Sequence, residues 1–368
     1  MSLLAGVDTR TPTPPAPDSF AARFADELDD FFRTRPEVDA ARELAEEVRA
    51  LVLAGGKRIR PAFAWWGWRA AGGEVRGDTS EAVVRALVAL ELLQCCALVH
   101  DDVMDRSATR RGRPAVHESF AARHRRSRWS GSARRFGDST AVLVGDLALA
   151  WADDALVTAG LPADALQRAW RPWQRMRTEM MAGQHLDLLA TAGRDESLEG
   201  ALRVAALKTA AYTVERPLHL GAALAGAPAD VVECLRVFGR DVGVAFQLRD
   251  DLIGMFGDPA VTGKPVGEDL REGKRTPLMA IAIAQATAAG DHRAARTLLR
   301  CLDGVTVTDG TVAAVRELLV DHGAVEAVEE HIEALAASGL AALDRAAVDE
   351  VARTHLRQLA AKAVRRRD

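Results

Sequence analysis

The sequence predicts an all-α protein, and three observations carry that reading. Beyond about Asp18, apolar residues recur at spacings of three and four along nearly the whole 368-residue chain, the period of one helix face. Strand-like alternation is scarce, and a single tyrosine occurs. Gly/Pro/Asp clusters such as "AAGGEVRGDTS" (70–80), "TAGLPAD" (158–164) and "AGAPAD" (225–230) fall between the periodic stretches, where helices stop and restart.

Taken in order, residues 1–18 read as a disordered leader. Prolines at 12, 14, 15 and 17 and the lack of a basic start or long apolar core argue against a signal peptide. Helices are expected at roughly 21–34, 38–53, 59–71, 78–104, 138–160, 162–191, 197–225 and 227–256, with several more to 364. No composition shift or short repeat period divides them, so residues 19–368 are expected to form a single domain of ten or more long helices. "FAWWGW" (63–68) reads as packing. "RHRRSRWSGSARRF" (123–136) reads as a solvated connection between helices, with a phosphate or acidic partner as the alternative.

Composition narrows the class. The chain is 48% hydrophobic, ample for a sizeable core, and its net charge of -4 gives no global basic field for nucleic acid. Cys95, Cys96, Cys234 and Cys301 form no CxxC pair and read as buried reduced thiols of a cytoplasmic protein. No apolar run is expected to approach the ~20 residues of a membrane span.

The chemistry begins at "LVHDDVMDRSATRRGRP" (98–114). On a helix with Asp101 at zero, Asp102 lies at about 100° and Asp105 at about 40°, with Gln94 at about 20° on the same face. Carboxylates this close repel, and a helix C-terminus disfavours them further. Hard oxygen ligands in this number suit Mg²⁺, with Arg110 and Arg111 able to grip phosphate oxygens. A solvated helix end with scattered ion pairs is the alternative. "AFQLRDDLIGMFGDP" (245–259) repeats the design with Gln247, Asp250 and Asp251, but Gly254 stands at the fifth position and Asp258 lies ~12 Å along the axis, a poor substitute. Cations come in clusters: Lys57, Arg58 and Arg60 in "GGKRIRP" (55–61), Lys208 with Thr209, and Lys264 and Lys274 in "TGKPVGEDLREGKRTP" (262–277). Two acidic helix ends facing each other, with cations around them, would make a site for divalent ions and a diphosphate.

That ordered set resembles the trans-isoprenyl diphosphate synthases, most closely those making geranylgeranyl diphosphate. GGKRxRP is followed by DDxxD and RRG, then GQxxDL (Gly183 to Leu188), KT, FQxxDD, TGK and a final lysine, and the resemblance covers residues 21–364. It implies the isoprenoid synthase fold, helices around a central active-site cavity. By the resemblance, Asp101, Asp102, Asp105, Asp250 and Asp251 bind Mg²⁺, at about three ions per site. Lys57, Arg60, Gln94 and Arg111 hold isopentenyl diphosphate, and Arg110, Lys208, Thr209, Gln247, Lys264 and Lys274 hold the allylic diphosphate. The implied reaction is ionisation of the allylic diphosphate, condensation with isopentenyl diphosphate and elimination of a proton to the departed diphosphate. A homodimer is implied as well.

Product length is read from the wall of the helix before Asp101. Cys96 and Ala97 are small, and Leu93 and Leu90 follow ~12 and ~17 Å away. A small gate with leucines deeper points to geranylgeranyl diphosphate, with farnesyl or longer products as alternatives. A class I terpene cyclase would need neither "GGKRIRP" nor a second Asp-Asp pair. A non-catalytic partner subunit would have lost more acids or lysines than the one position at Gly254.

Overall fold

Helix α1 (Phe20–Thr34) begins where the Ser19 side chain accepts a hydrogen bond from the Ala22 N–H, satisfying one of the orphan donors of a helix start. The computed structural model describes residues 19–35, 38–258, 266–303 and 306–365. The proposed leader, residues 1–18, lies outside them.

Helices α2 (Arg42–Leu53), α3 (Ile59–Ala70), α4 (Asp78–Ala86) and α5 (Val88–Asp105) follow. After a two-stranded ribbon, β1 (Thr109–Arg110) and β2 (Arg113–Pro114), come α6 (Val116–Arg126), α7 (Ala133–Val157), α8 (Ala163–Gly193) and α9 (Leu198–Val204). A π-helical segment, Ala205–Glu215, joins α9 to α10 (Arg216–Ala225), which leads to α11 (Ala229–Phe256). The described remainder is α12 (Glu268–Arg271), α13 (Pro277–Ala288), α14 (His292–Leu302), α15 (Asp309–Asp321), α16 (Ala324–Arg345) and α17 (Glu350–Val364). The all-α expectation holds.

Helix α5 is the axis of the molecule. Val88, Ala89, Leu90, Leu92 and Leu93 are all 0% exposed, the pattern of a helix that is apolar all round and therefore internal. It packs on α7, and around it Phe24 of α1, Val48 of α2, Ala141 of α7 and Trp173 of α8 share one core. A second core joins the C-terminal half of α11 to α13, α14 and α16. A third joins α3, α10, α11 and α17. The continuous run Asp78–Asp105 is long and apolar enough to cross a membrane by length and composition, contrary to the expectation from sequence, but 78% of its most apolar window is buried inside the protein.

The other departures from expectation are local. The 78–104 helix is broken at Leu87 into α4 and α5. Helix α6 was missed, because its arginines and histidines mask the apolar stripe of Val116, Phe120 and Ala121. The ribbon was missed because four paired residues are too few for alternation to show. Arg111 (φ 53°) and Gly112 (φ 72°) form its turn, and consecutive positive φ values suit the right-handed twist of a two-residue hairpin.

The 197–225 helix is in fact α9, the π segment and α10, a distinction that apolar spacing does not resolve. Two glycines make room for the wider turn. A Cβ on Gly183 of α8 would lie 2.3 Å from the Lys208 backbone N, and one on Gly243 of α11 would lie 2.7 Å from the Ala210 Cα. Backbone so close leaves no flexible atom to move aside. Gly183→Ala is therefore expected to lose ~1–3 kcal/mol by overpacking, measured by denaturant unfolding. Wild-type stability in that variant would contradict this account of the α8 contact.

Candidate active site

The ends of α5 and α11, the start of α3, the ribbon, the π segment and α8 enclose a cavity of about 700 Å³. Helix α5 delivers Asp101 to it and terminates at Arg106 in a left-handed cap (φ 58°). The turn then returns the chain, so that Arg110 reaches back to Asp102 while Arg111 goes the other way. Arg110 Nε donates to Asp102 Oδ1 at 2.8 Å, Nη2 donates to the same oxygen, and Asp101 lies 3.6 Å from Nη2. Arg111 Nη1 donates to the Gly55 carbonyl at 2.7 Å, bringing its guanidinium against Gly56 of the "GGKRIRP" loop.

The three aspartates of the first motif thus have different surroundings. Asp101 lines the cavity, where Lys208 Nζ is 3.0 Å from its Oδ1. Asp102 is 2% exposed, faces a smaller cavity of about 310 Å³ behind α5, and is occupied by Arg110. Asp105 Oδ2 lies 2.9 Å from Lys274 Nζ. Lys274 also reaches Glu272 at 2.6 Å and Asp269 at 3.6 Å, and Lys208 also donates to Asp187 at 2.7 Å.

The second motif approaches from α11. Asp250, Asp251 and Gln247 line the cavity, and Gln247 Nε2 donates to Asp251 Oδ1 at 2.8 Å. Asp251 Oδ2 is buried with no hydrogen-bond partner. A Cβ on Gly254 would lie 3.2 Å from Asp269 Oδ2, so a carboxylate from α12 stands beside the position where the second motif lacks its third acid.

Electrostatics follow from crowding. Burial would raise the Asp101 pKa, but Lys208, Lys274 and Arg110 together hold it below the ordinary carboxylate value. Burial raises Asp102 against the opposing pull of Arg110. Burial and the Asp101 charge raise Asp105. Asp251 is driven well up by burial and by neighbouring Asp269. Lys208 and Lys274 are both raised: burial opposes this, and the surrounding carboxylates prevail.

Lys57, Arg60, Gln94, Arg111 and Thr209 line the same cavity. Arg60 donates to Thr213 Oγ1 at 2.9 Å and lies over the Tyr212 ring, 4.0 Å from its centroid, while its Nε has no partner. Gln94 Oε1 is likewise buried and unpaired. Arg58 turns away to pair with buried Glu91 and to donate to the Val52 carbonyl at 2.6 Å, a left-handed residue (φ 47°) at the start of α3. Lys264 lies outside the described residues.

Cys96 and Ala97 line the cavity one turn before Asp101, beside His100 and Met104. Leu93 and Leu90, expected deeper along that route, are instead sealed in the core. Met180, Met181 and Leu188 of α8 also line the cavity. Sequence reasoning gave no role to these α8 residues, nor to Asp187, Asp269, Glu272 and Tyr212. Asp187 sits inside the "GQHLDL" stretch and Asp269 and Glu272 inside the "TGKPVGEDLREGKRTP" stretch, so their proximity to the other motifs was the available signal.

A helical enclosure in which two acidic helix ends meet half-buried lysines and arginines suits polyanionic substrates. Residues 41–315 match the polyprenyl synthetase family. The chain is 38% identical over 264 residues to a (2E,6E)-farnesyl diphosphate synthase of Mycobacterium tuberculosis, covering 72% of this chain and 67% of that one. It is 32% identical over 285 residues to a geranylfarnesyl diphosphate synthase of Aeropyrum pernix, covering 76% and 80%. The crystal structure of geranylgeranyl pyrophosphate synthase from Corynebacterium glutamicum, complexed with isoprenyl diphosphate and magnesium, is similar with a TM-score of 0.88 and 42% identity, covering 96% of this chain and 100% of that one. The protein belongs to the polyprenyl synthetase family and is a prenyltransferase.

The raised pKa of Asp251 has a consequence for stability. An acid whose folded pKa exceeds its unfolded value binds its proton more tightly when folded, so stability is full below the unfolded pKa and falls as pH rises toward the folded one. Without metal or diphosphate, Asp251→Asn should therefore gain thermal stability over wild type, and the gain should grow as pH rises above the ordinary carboxylate range. A difference in Tm that is constant with pH would contradict it.

Proposed function

We propose that this protein is a Mg²⁺-dependent geranylgeranyl diphosphate synthase, adding isopentenyl diphosphate to allylic diphosphates. The observation that carries the product length is the cavity wall at Ala97 and Cys96, two small side chains in a lining that also includes Met180 and Met181 of α8. A tail leaving a diphosphate at Asp101 passes them, and unbranched Met180 in the same lining can adapt to it.

The donor set fits Mg²⁺. Among the described residues no three His, Cys, Asp or Glu side chains converge as a preformed metal cage, and Mg²⁺ is ordinarily held by one or two carboxylates together with substrate phosphates. The unpartnered Asp251 Oδ2 supports the assignment. Asp101 and Asp105 on one side, and Asp250 and Asp251 on the other, are the proposed ligands, with Asp269 as a further contributor. Asp102, paired with Arg110, is the remaining proposed ligand. Three ions per site are part of this reading. When bound, Mg²⁺ neutralises charge developing on the departing diphosphate.

The chain's own cations supply the rest. Lys208, Lys274 and Arg110, with Thr209 and Gln247 beside them, hold the allylic diphosphate as charge builds on it, a preorganised electrostatic stabilisation. Lys264 is assigned to the same group. Lys57, Arg60, Gln94 and Arg111 hold isopentenyl diphosphate across the cavity, where the unpaired Arg60 Nε and Gln94 Oε1 await partners. The apolar wall below keeps water from the allylic cation. The proton lost after condensation goes to the departed diphosphate, so no side-chain base is required.

A homodimer, implied by the resemblance, is part of this reading. A cytoplasmic location is supported by four free cysteines.

Two experiments test the assignment. Arg60→Ala should raise KM mainly for isopentenyl diphosphate and Lys208→Ala mainly for the allylic substrate, because each cation makes a charge-assisted contact to one diphosphate. Equal effects on both substrates would overturn the division of the cavity. Ala97→Phe should fold, retain the early condensations and shift the product toward farnesyl diphosphate, read by chromatography under excess isopentenyl diphosphate. An active variant still making a twenty-carbon product would show that the tail runs elsewhere.

A further inference from the structure

The α6–α7 corner, residues 123–136, has no part in the cavity, yet it is built with care. It carries Arg123, Arg125, Arg126, Arg128, Arg134 and Arg135 with His124 and no acidic residue, in a chain whose overall balance is acidic. The corner is not a loose connection. His124 Nε2 lies 3.0 Å from the Ser130 carbonyl, and Arg128 occupies a left-handed turn position (φ 53°). Phe136 packs edge-on against Trp129 at 5.3 Å between ring centroids, and His124 contacts both rings.

Two features of the corner work against stability. Arg134 and Arg135 sit in the first turn of α7, which has no acidic residue, where the helix dipole disfavours cations. Trp129 remains 44% exposed although an aromatic cluster lies beside it. Intramolecular pairing explains only part of the charge. Arg123 pairs with Glu43, and Arg125 and Arg134 lie 3.9 Å from Glu118 and Asp138. Arg126, Arg128 and Arg135 make no ion pair among the described residues. A local conflict without internal compensation points to a use outside the fold.

We infer that this corner docks the protein on an anionic lipid bilayer. Clustered arginines are drawn to an anionic leaflet by roughly 1 kcal/mol each, about fivefold in partitioning. A half-sunk tryptophan with an apolar body and a polar N–H suits the headgroup boundary. The patch is compact, within a single helix–helix corner, and the acidic remainder of the chain opposes an extended nucleic-acid track. Docking would place the enzyme where a long-chain prenyl diphosphate partitions; that advantage rests on the proposed function, whereas the docking itself does not.

The test is co-sedimentation of the full-length protein with vesicles of phosphatidylcholine alone or with roughly one-third phosphatidylglycerol. Wild type should sediment with the anionic vesicles and not the neutral ones, and should be released as salt rises from ~0.1 M to ~0.5 M. The triple variant Arg126→Gln/Arg128→Gln/Arg135→Gln should lose roughly 100-fold in partitioning, with thermal stability undiminished, since Arg135 opposes the α7 dipole, and with unchanged prenyl transfer in vesicle-free buffer. Trp129→Ala should weaken binding several-fold without altering its salt dependence. Equal wild-type binding to neutral vesicles, undiminished binding by the triple variant, or displacement from vesicles by a short oligonucleotide at the same salt would each overturn the inference. The wild-type salt titration decides the matter even if the variants fail to fold.

Discussion

The arrangement of the cavity depends on charge balance between half-buried carboxylates and half-buried cations. Lys208 and Lys274 favour the ionised forms of Asp101 and Asp105 at the end of an apolar helix, and the surrounding carboxylates in turn favour the charged lysines. The ion pairs are best understood as placeholders. The lysines neutralise the aspartates in the free protein, and in the proposed function substrate diphosphate with Mg²⁺ would give both sets of charge a new partner. Removing one member alone leaves an uncompensated charge in a poorly hydrated site, which is why the network is built from interlocking pairs rather than isolated ones.

Backbone geometry makes that balance possible. Lys208 comes from a π-helical segment wedged against the glycines of α8 and α11, the wider helix form that recurs at functional sites. Arg110 and Arg111 come from a hairpin turn whose two positive φ values send adjacent side chains in different directions, one to Asp102 and one to the Gly55 carbonyl. The same turn therefore serves both proposed diphosphate positions. Asp269 comes from α12 to the space beside Gly254, so the acid that α11 lacks there is matched by one from elsewhere in the chain.

Much of this was legible in the sequence, for identifiable reasons. Helical periodicity revealed α1, α5, α8 and α11 because each keeps its apolar spacing over many turns. The acidic motifs and cation clusters stood out because charge is rare beside long apolar runs. What stayed hidden depended on tertiary detail. A wheel drawn from ideal angles put Asp102 with Asp101 and Asp105, and only the return of the hairpin shows that Arg110 claims it. The route past Leu93 and Leu90 failed because a helix face alone does not reveal which side another helix covers. Helix α6 was obscured by the basic residues that give its corner a surface role.

The central claim is that the site gathers metal and diphosphate together and holds neither well alone. Titration calorimetry of the unliganded protein with Mg²⁺, in the absence and presence of inorganic diphosphate, tests it most directly. The account predicts weak Mg²⁺ binding to the protein alone and strongly enhanced binding once diphosphate is present, with the enhancement lost in Asp101→Asn. Tight stoichiometric Mg²⁺ binding without diphosphate, unaffected by its addition, would contradict the account.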